Sequence, residues 1–139
     1  MGELSDQLSD LIQAANQART KAHAPFSGFA VGAALLTKSG QVFAGCNVEN
    51  ISLRLTLCAE EVAVGSAVVA GETQFAAIAV TADSNDPVMP CGACRQLLAE
   101  FNPDLEVISV AAAGKVERYR LGELLPRAKQ GILQDSDDV

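Results

Sequence analysis

The sequence predicts an α/β fold of three layers, α/β/α, with a mixed five-stranded sheet in the middle. Short apolar runs of strand length alternate along the chain with segments of helical period, and the first two runs are joined by a turn of hairpin composition. Hairpin pairing at the start, followed by strands separated by helices, calls for a mixed sheet whose faces are covered by helices. The chain has 139 residues, 49% of them hydrophobic and 19% charged, which supplies one core and leaves no room for a second. Residues 1–130 are therefore expected to form a single domain and residues 131–139 an acidic, flexible tail.

The elements follow in order. Residues 3–22 carry Leu4, Leu8, Leu11, Ile12, Ala15, Ala18 and Ala22 at three- and four-residue steps, an amphipathic helix expected to end near His23. Ala24-Pro25-Phe26-Ser27-Gly28-Phe29 reads as a loop entering a strand. Strands are expected at Val31–Leu36 and Gln41–Gly45, with Thr37-Lys38-Ser39-Gly40 as the turn between them. Ala63, Val64, Ala67, Val68 and Ala70 make residues 58–71 a second helix, closed by Gly71. Phe75–Thr81 is short, continuous and apolar, as a buried strand is. A turn-rich stretch then leads to a third helix that begins inside Cys91–Cys94 and runs to Phe101. Leu105–Val110 and Val116–Tyr119 supply the last two strands, and Leu121–Leu125 a short helical turn.

Charge and composition exclude several functions. Ten Lys and Arg against 17 Asp and Glu give a net charge of −7, which disfavours a surface that tracks phosphates. Aromatic residues are 4% of the chain and Trp is absent, so stacking platforms for single strands are scarce as well. No nucleic-acid partner is expected. No window approaches the roughly 20 apolar residues of a membrane span, so no membrane partner is expected either. The N-terminal MGELSDQLSD lacks the basic and apolar regions of a signal peptide, which predicts a cytoplasmic protein. In that reducing setting the four cysteines are metal ligands or small buried hydrophobes rather than disulfide partners.

Two fragments carry the chemistry: Cys58-Ala59-Glu60 and Pro90-Cys91-Gly92-Ala93-Cys94, each at a predicted helix start. A Cys-x-x-Cys on the first turn of a helix directs both sulfurs to one metal. A third thiolate from another helix start leaves the fourth tetrahedral position for water, the mark of a catalytic zinc site. The helix N-termini add partial positive charge and free N–H groups that stabilise thiolates. A fourth protein ligand could come only from Cys46 or His23. Cys46 otherwise reads as a small buried hydrophobe, and His23 as an exposed or capping residue at the end of the first helix. Glu60, two residues after one ligand, can reach the activated water without binding the metal and would act as general acid and base. The pair of fragments is the zinc deaminase signature in its three-cysteine form.

In these fragments and around them, the sequence resembles the small homotetrameric cytidine deaminases of the cytidine/deoxycytidylate deaminase superfamily. The resemblance covers roughly residues 5–128 and includes Ala24–Phe29, Val31–Leu36, Gly45-Cys46-Asn47-Val48-Glu49-Asn50, both zinc fragments with Arg95-Gln96, and Leu124-Leu125-Pro126. It implies a cytidine deaminase-like fold and hydrolysis of cytidine or deoxycytidine to uridine or deoxyuridine with release of ammonia. It further implies one Zn2+ per subunit on Cys58, Cys91 and Cys94, with Glu60 as proton shuttle. Asn47 and Glu49 would hold the ribose hydroxyl, Phe29 would pack on the pyrimidine, and Ala59 would be a further substrate contact. On composition alone Phe29 reads as core, and Asn47 reads equally as a turn residue or a binding residue.

The sequence departs from the family pattern at four positions. Glu61 stands where an Arg usually offsets thiolate charge, leaving Arg54, Arg95 or the helix termini to compensate. Leu53 and Arg54 occupy a stretch that in relatives reaches a neighbouring subunit's site, and Lys129 replaces an aromatic residue. These changes raise two alternatives: a deaminase of a bulkier or modified cytosine nucleoside, blasticidin S-like or N4-substituted, and a zinc-bearing assembly module without catalysis. Glu60 argues against the second, because packing has no use for a carboxylate beside an open zinc position.

Overall fold

Leu11 and Ala15, on the apolar stripe of the first segment, are 2% and 0% exposed on helix α1 (Gly2–Arg19) in the computed structural model, which describes residues 2–129. The expected tail at 131–139 lies outside the described residues. The helix stops four residues before His23. Thr20, Lys21 and Ala22 close three-residue turns on Gln17, Ala18 and Arg19, and strand-type pairing takes over. The His23 amide donates to the Asn47 carbonyl at 2.9 Å, and the Glu49 amide donates to the His23 carbonyl at 2.8 Å. His23 is exposed, as expected, but it caps nothing.

The strands are β1 (Val31–Thr37), β2 (Val42–Cys46), β3 (Phe75–Ala82), β4 (Glu106–Val110) and β5 (Val116–Arg120). They form the expected mixed sheet in the order β2-β1-β3-β4-β5, with β3 and β4 parallel and the other neighbours antiparallel. Helix α1 covers one face, against Ala34, Ala77, Ala79 and Ile108. On the other, α2 (Ala59–Val69) and α3 (Gly92–Phe101) pack over Ala33, Leu35, Ile78, Val80 and Val107. A short helix α4 (Leu121–Leu124) follows β5 and buries Leu121. The segment before Cys58 holds a 3-10 turn at Leu53–Leu55 that the sequence does not announce. Among the described residues no helix is long and apolar enough to cross a membrane.

Two strand glycines set how closely the helices lie on the sheet. A Cβ at Gly32 would fall 2.0 Å from the Ala15 carbonyl oxygen of α1, and one at Gly45 would fall 2.4 Å from the Ala59 oxygen and 2.6 Å from the Ala63 nitrogen of α2. Backbone cannot yield at such distances, so only glycine permits these approaches. Gly45 thereby seats the first turn of α2, which carries Ala59 and Glu60, directly on β2.

Candidate active site

The helix starts and the cysteines coincide. Cys58 is the N-cap of α2 and Cys91 the N-cap of α3, while Cys94 lies in the first turn of α3. Their Sγ atoms all lie within 4.8 Å of one another, although Cys58 and Cys91 come from segments separated by the whole of α2 and β3. Cys94 is buried, Cys58 half-buried and Cys91 exposed, so the cluster opens to solvent on the Cys91 side. Cys46, on β2, is half-buried, and neither it nor His23 belongs to the cluster. A hydrogen bond between the Cys58 and Cys94 sulfurs lowers the pKa of Cys58, while the same contact, burial and the nearby Glu60 push the Cys94 thiol up.

Glu60 sits beside this cluster, 5% exposed. Burial raises its pKa, and hydrogen bonding from its own backbone and from Cys94 partly offsets the effect. A carboxyl shifted in this direction is suited to both taking and giving a proton near neutrality. Ala59 is 1% exposed, with its carbonyl oxygen packed against Gly45 of β2.

A second set of polar groups organises the loop at 24–29. The Glu49 carboxylate accepts from the backbone N–H of Phe26 at 3.0 Å and of Ser27 at 3.1 Å, and from the Ser27 hydroxyl. Ser27 thereby holds the Glu49 carboxyl below its ordinary pKa. Asn47 is buried, and its amide both donates to the Phe29 carbonyl at 2.8 Å and accepts from the Val31 N–H at 2.9 Å. One N–H and one lone pair of that amide remain. Phe29 itself is 37% exposed and does not join the core.

With this geometry in place, the comparisons decide the family. The model for the cytidine and deoxycytidylate deaminase zinc-binding region matches residues 5–110. The chain belongs to this deaminase family. It is 49% identical to the cytidine deaminase of Halalkalibacterium halodurans, covering 85% of this chain and 90% of that protein. It is 45% identical to that of Sporosarcina psychrophila, covering 85% and 88%. Among solved structures, the crystal structure of cytidine deaminase from Burkholderia pseudomallei superposes with a TM-score of 0.83 at 51% identity, covering 86% of this chain and 96% of that one.

The zinc of this deaminase family fits the residues present. Thiolates at about 2.3 Å from zinc stand about 3.8 Å apart in a tetrahedron, which three sulfurs already within 4.8 Å reach by small side-chain adjustments. The donor set is soft, and its three members leave one position open.

The departures also find places in this deaminase. Glu61 accepts from the Cys58 N–H at 2.9 Å, closing the N-terminus of α2 as a capping carboxylate. Arg95 donates through Nε to the Pro90 carbonyl at 2.7 Å and through a terminal nitrogen to the Leu124 carbonyl at 3.0 Å, tying the cysteine loop to α4. The Lys129 ammonium donates to the Glu100 carbonyl at 3.2 Å, in the last turn of α3, where the helix dipole favours a cation. Leu53, at 79% exposure, and Arg54 both stand in solvent on the 3-10 turn. Sequence reasoning missed Ser27 as a site residue. A serine two positions before Phe29, whose hydroxyl accepts the Phe29 N–H at 2.9 Å, is a local turn pattern that could have flagged it.

Proposed function

We propose that this protein, acting as one domain over residues 1–130, hydrolyses cytidine and deoxycytidine to uridine and deoxyuridine with release of ammonia. The observation that carries this reading is the buried Glu60 carboxyl beside three clustered thiols, one of them open to solvent. Zinc bound by Cys58, Cys91 and Cys94 supplies the Lewis acidity that makes water nucleophilic near neutral pH. Glu60 takes a proton from the water that adds to C4 of the cytosine ring and delivers it to N3. It then passes the second proton to the exocyclic amine, which departs as ammonia while C4 keeps the oxygen. Phe29 covers the pyrimidine face, Asn47 and Glu49 bind the sugar hydroxyls with their remaining capacity, and the Ala59 backbone contacts the base.

Substrate narrowing toward bulky nucleosides has less support, since Lys129 is engaged at the end of α3. The test is ammonia release and the ultraviolet blue shift on incubation with cytidine, deoxycytidine, an N4-substituted cytidine and blasticidin S. Turnover is expected for the first two. Turnover confined to the modified compounds would overturn the choice of substrate.

The assembly belongs to the same proposal: a homotetramer in the cytoplasm, where the free thiols stay reduced. Ile51, Leu53 and Leu55 on the segment before Cys58 are exposed by 84%, 79% and 61%, and Val69 at the end of α2 by 90%, apolar surface that a subunit contact would cover. Leu53 and Arg54 would meet the neighbouring subunit there. Sedimentation equilibrium should give four times the chain mass, and a monomer at micromolar concentration would exclude this arrangement.

A further inference from the structure

Phe29 lies outside any strand or helix and is more than a third exposed, so packing does not fix its ring. Side chains hold its backbone instead, one at each polar group. Its N–H donates to the Ser27 hydroxyl at 2.9 Å and its carbonyl accepts from the Asn47 amide at 2.8 Å. Each of these holders is itself held. Asn47 accepts the Val31 N–H at the start of β1, and the Ser27 hydroxyl donates to Glu49, which also binds the Phe26 and Ser27 N–H groups. Gly28, at φ 69°, makes the sharp bend between Ser27 and Phe29 that brings the serine oxygen under the Phe29 amide. The serine hydroxyl has one proton to give and two lone pairs to offer. Here the proton goes to Glu49 and one lone pair to Phe29, so among the described residues this oxygen is the side-chain atom that joins the two.

We infer that Ser27 is a positioning residue for the substrate pocket: it transmits the fixed position of Glu49 to the backbone of Phe29 and so pre-organises the aromatic wall before a nucleoside arrives. This rests on the reading of Phe29 as the pyrimidine contact given above. Its consequence is that Glu49 serves base recognition as well as the sugar. A loop held in its binding conformation loses less freedom when the ligand binds. Removing the hydroxyl therefore weakens binding of the base whatever the sugar carries. The chemical step at Glu60, on the first turn of α2, is left alone.

The test compares the zinc-loaded wild type with Ser27→Ala, Ser27→Thr and Ser27→Val, the last keeping the shape of threonine without its hydroxyl. Calorimetric affinities are measured for uridine and for 2′,3′-dideoxyuridine, which lacks the 2′ and 3′ hydroxyls, together with KM and kcat for cytidine. Loss of two hydrogen bonds in one network is expected to weaken both ligands by about tenfold in the Ala and Val variants. KM should rise to match while kcat stays within about threefold, and Thr should restore affinity. Affinities within twofold of wild type would overturn the inference. So would a penalty seen with uridine and absent with the dideoxy compound, because Ser27 would then act only by presenting Glu49 to a hydroxyl. A wild-type protein that does not turn over cytidine overturns the reading of the pocket itself, whereas active wild type with indifferent variants overturns only the role of Ser27.

Discussion

Glu60→Gln should abolish turnover while leaving zinc and fold in place. The substitution keeps size and one acceptor but removes the ability to take and return a proton, a role worth about 10²–10⁴-fold in rate. The buried site also favours a neutral amide, because the carboxyl there already resists ionisation. The variant should therefore melt no lower than wild type. The expected result is a decrease of about a thousandfold in kcat for cytidine, with one zinc per chain by metal analysis and an unchanged circular dichroism spectrum. Retention of activity within tenfold would remove Glu60 from the reaction and revive the alternative of a zinc-bearing module without catalysis.

The second large effect concerns the metal. Cys94→Ala takes away the one fully buried ligand and leaves a partner sulfur, Cys58, without its hydrogen bond. Zinc content of the purified protein should fall to a small fraction of one per chain, and cytidine turnover should fall to background. Cys46→Ala is the control, since Cys46 lies outside the cluster and should keep both properties. Full zinc occupancy in Cys94→Ala would mean that the ligand set is wrong.

How far the sequence can be read is clearest where the determinants are local. Cys-x-x-Cys lies within one helical turn at the i,i+3 spacing that puts both side chains on one side, and the structure brings all three sulfurs together. Most of the sheet was legible for the same reason: β1 to β4 are largely apolar runs and the first turn has hairpin composition, whereas β5 alternates exposed and half-buried residues with three charges among its five. The boundary of α1 was not. Ala18 and Ala22 extend the helical period past Arg19, but pairing of His23 with the segment around Val48 wins, and that pairing joins residues far apart in sequence. Glu61 looked like a lost cation because the usual capping pattern starts with Ser or Thr, and here a cysteine takes that place. Ser27 escaped notice because its importance lies in contacts with Glu49, which no local pattern connects to it. The 3-10 turn at Leu53–Leu55 has no periodicity to reveal it and exposes its leucines to solvent.

The ligand cluster has a mechanical side too. Cys58 closes the segment that follows the β1–β2 hairpin, and Cys91 and Cys94 open the segment that returns to β4, with α2 and β3 between them. An ion gripped by all three sulfurs is therefore a clasp across a long chain loop. In the unfolded chain it would have to gather those sulfurs against the entropy of closing that loop, whereas the native fold presents them already together. The free energy of metal capture is thus shared between reactivity and cohesion, and the same three thiolates that make a nucleophile also knit the two halves of the sheet's helical cover into one body.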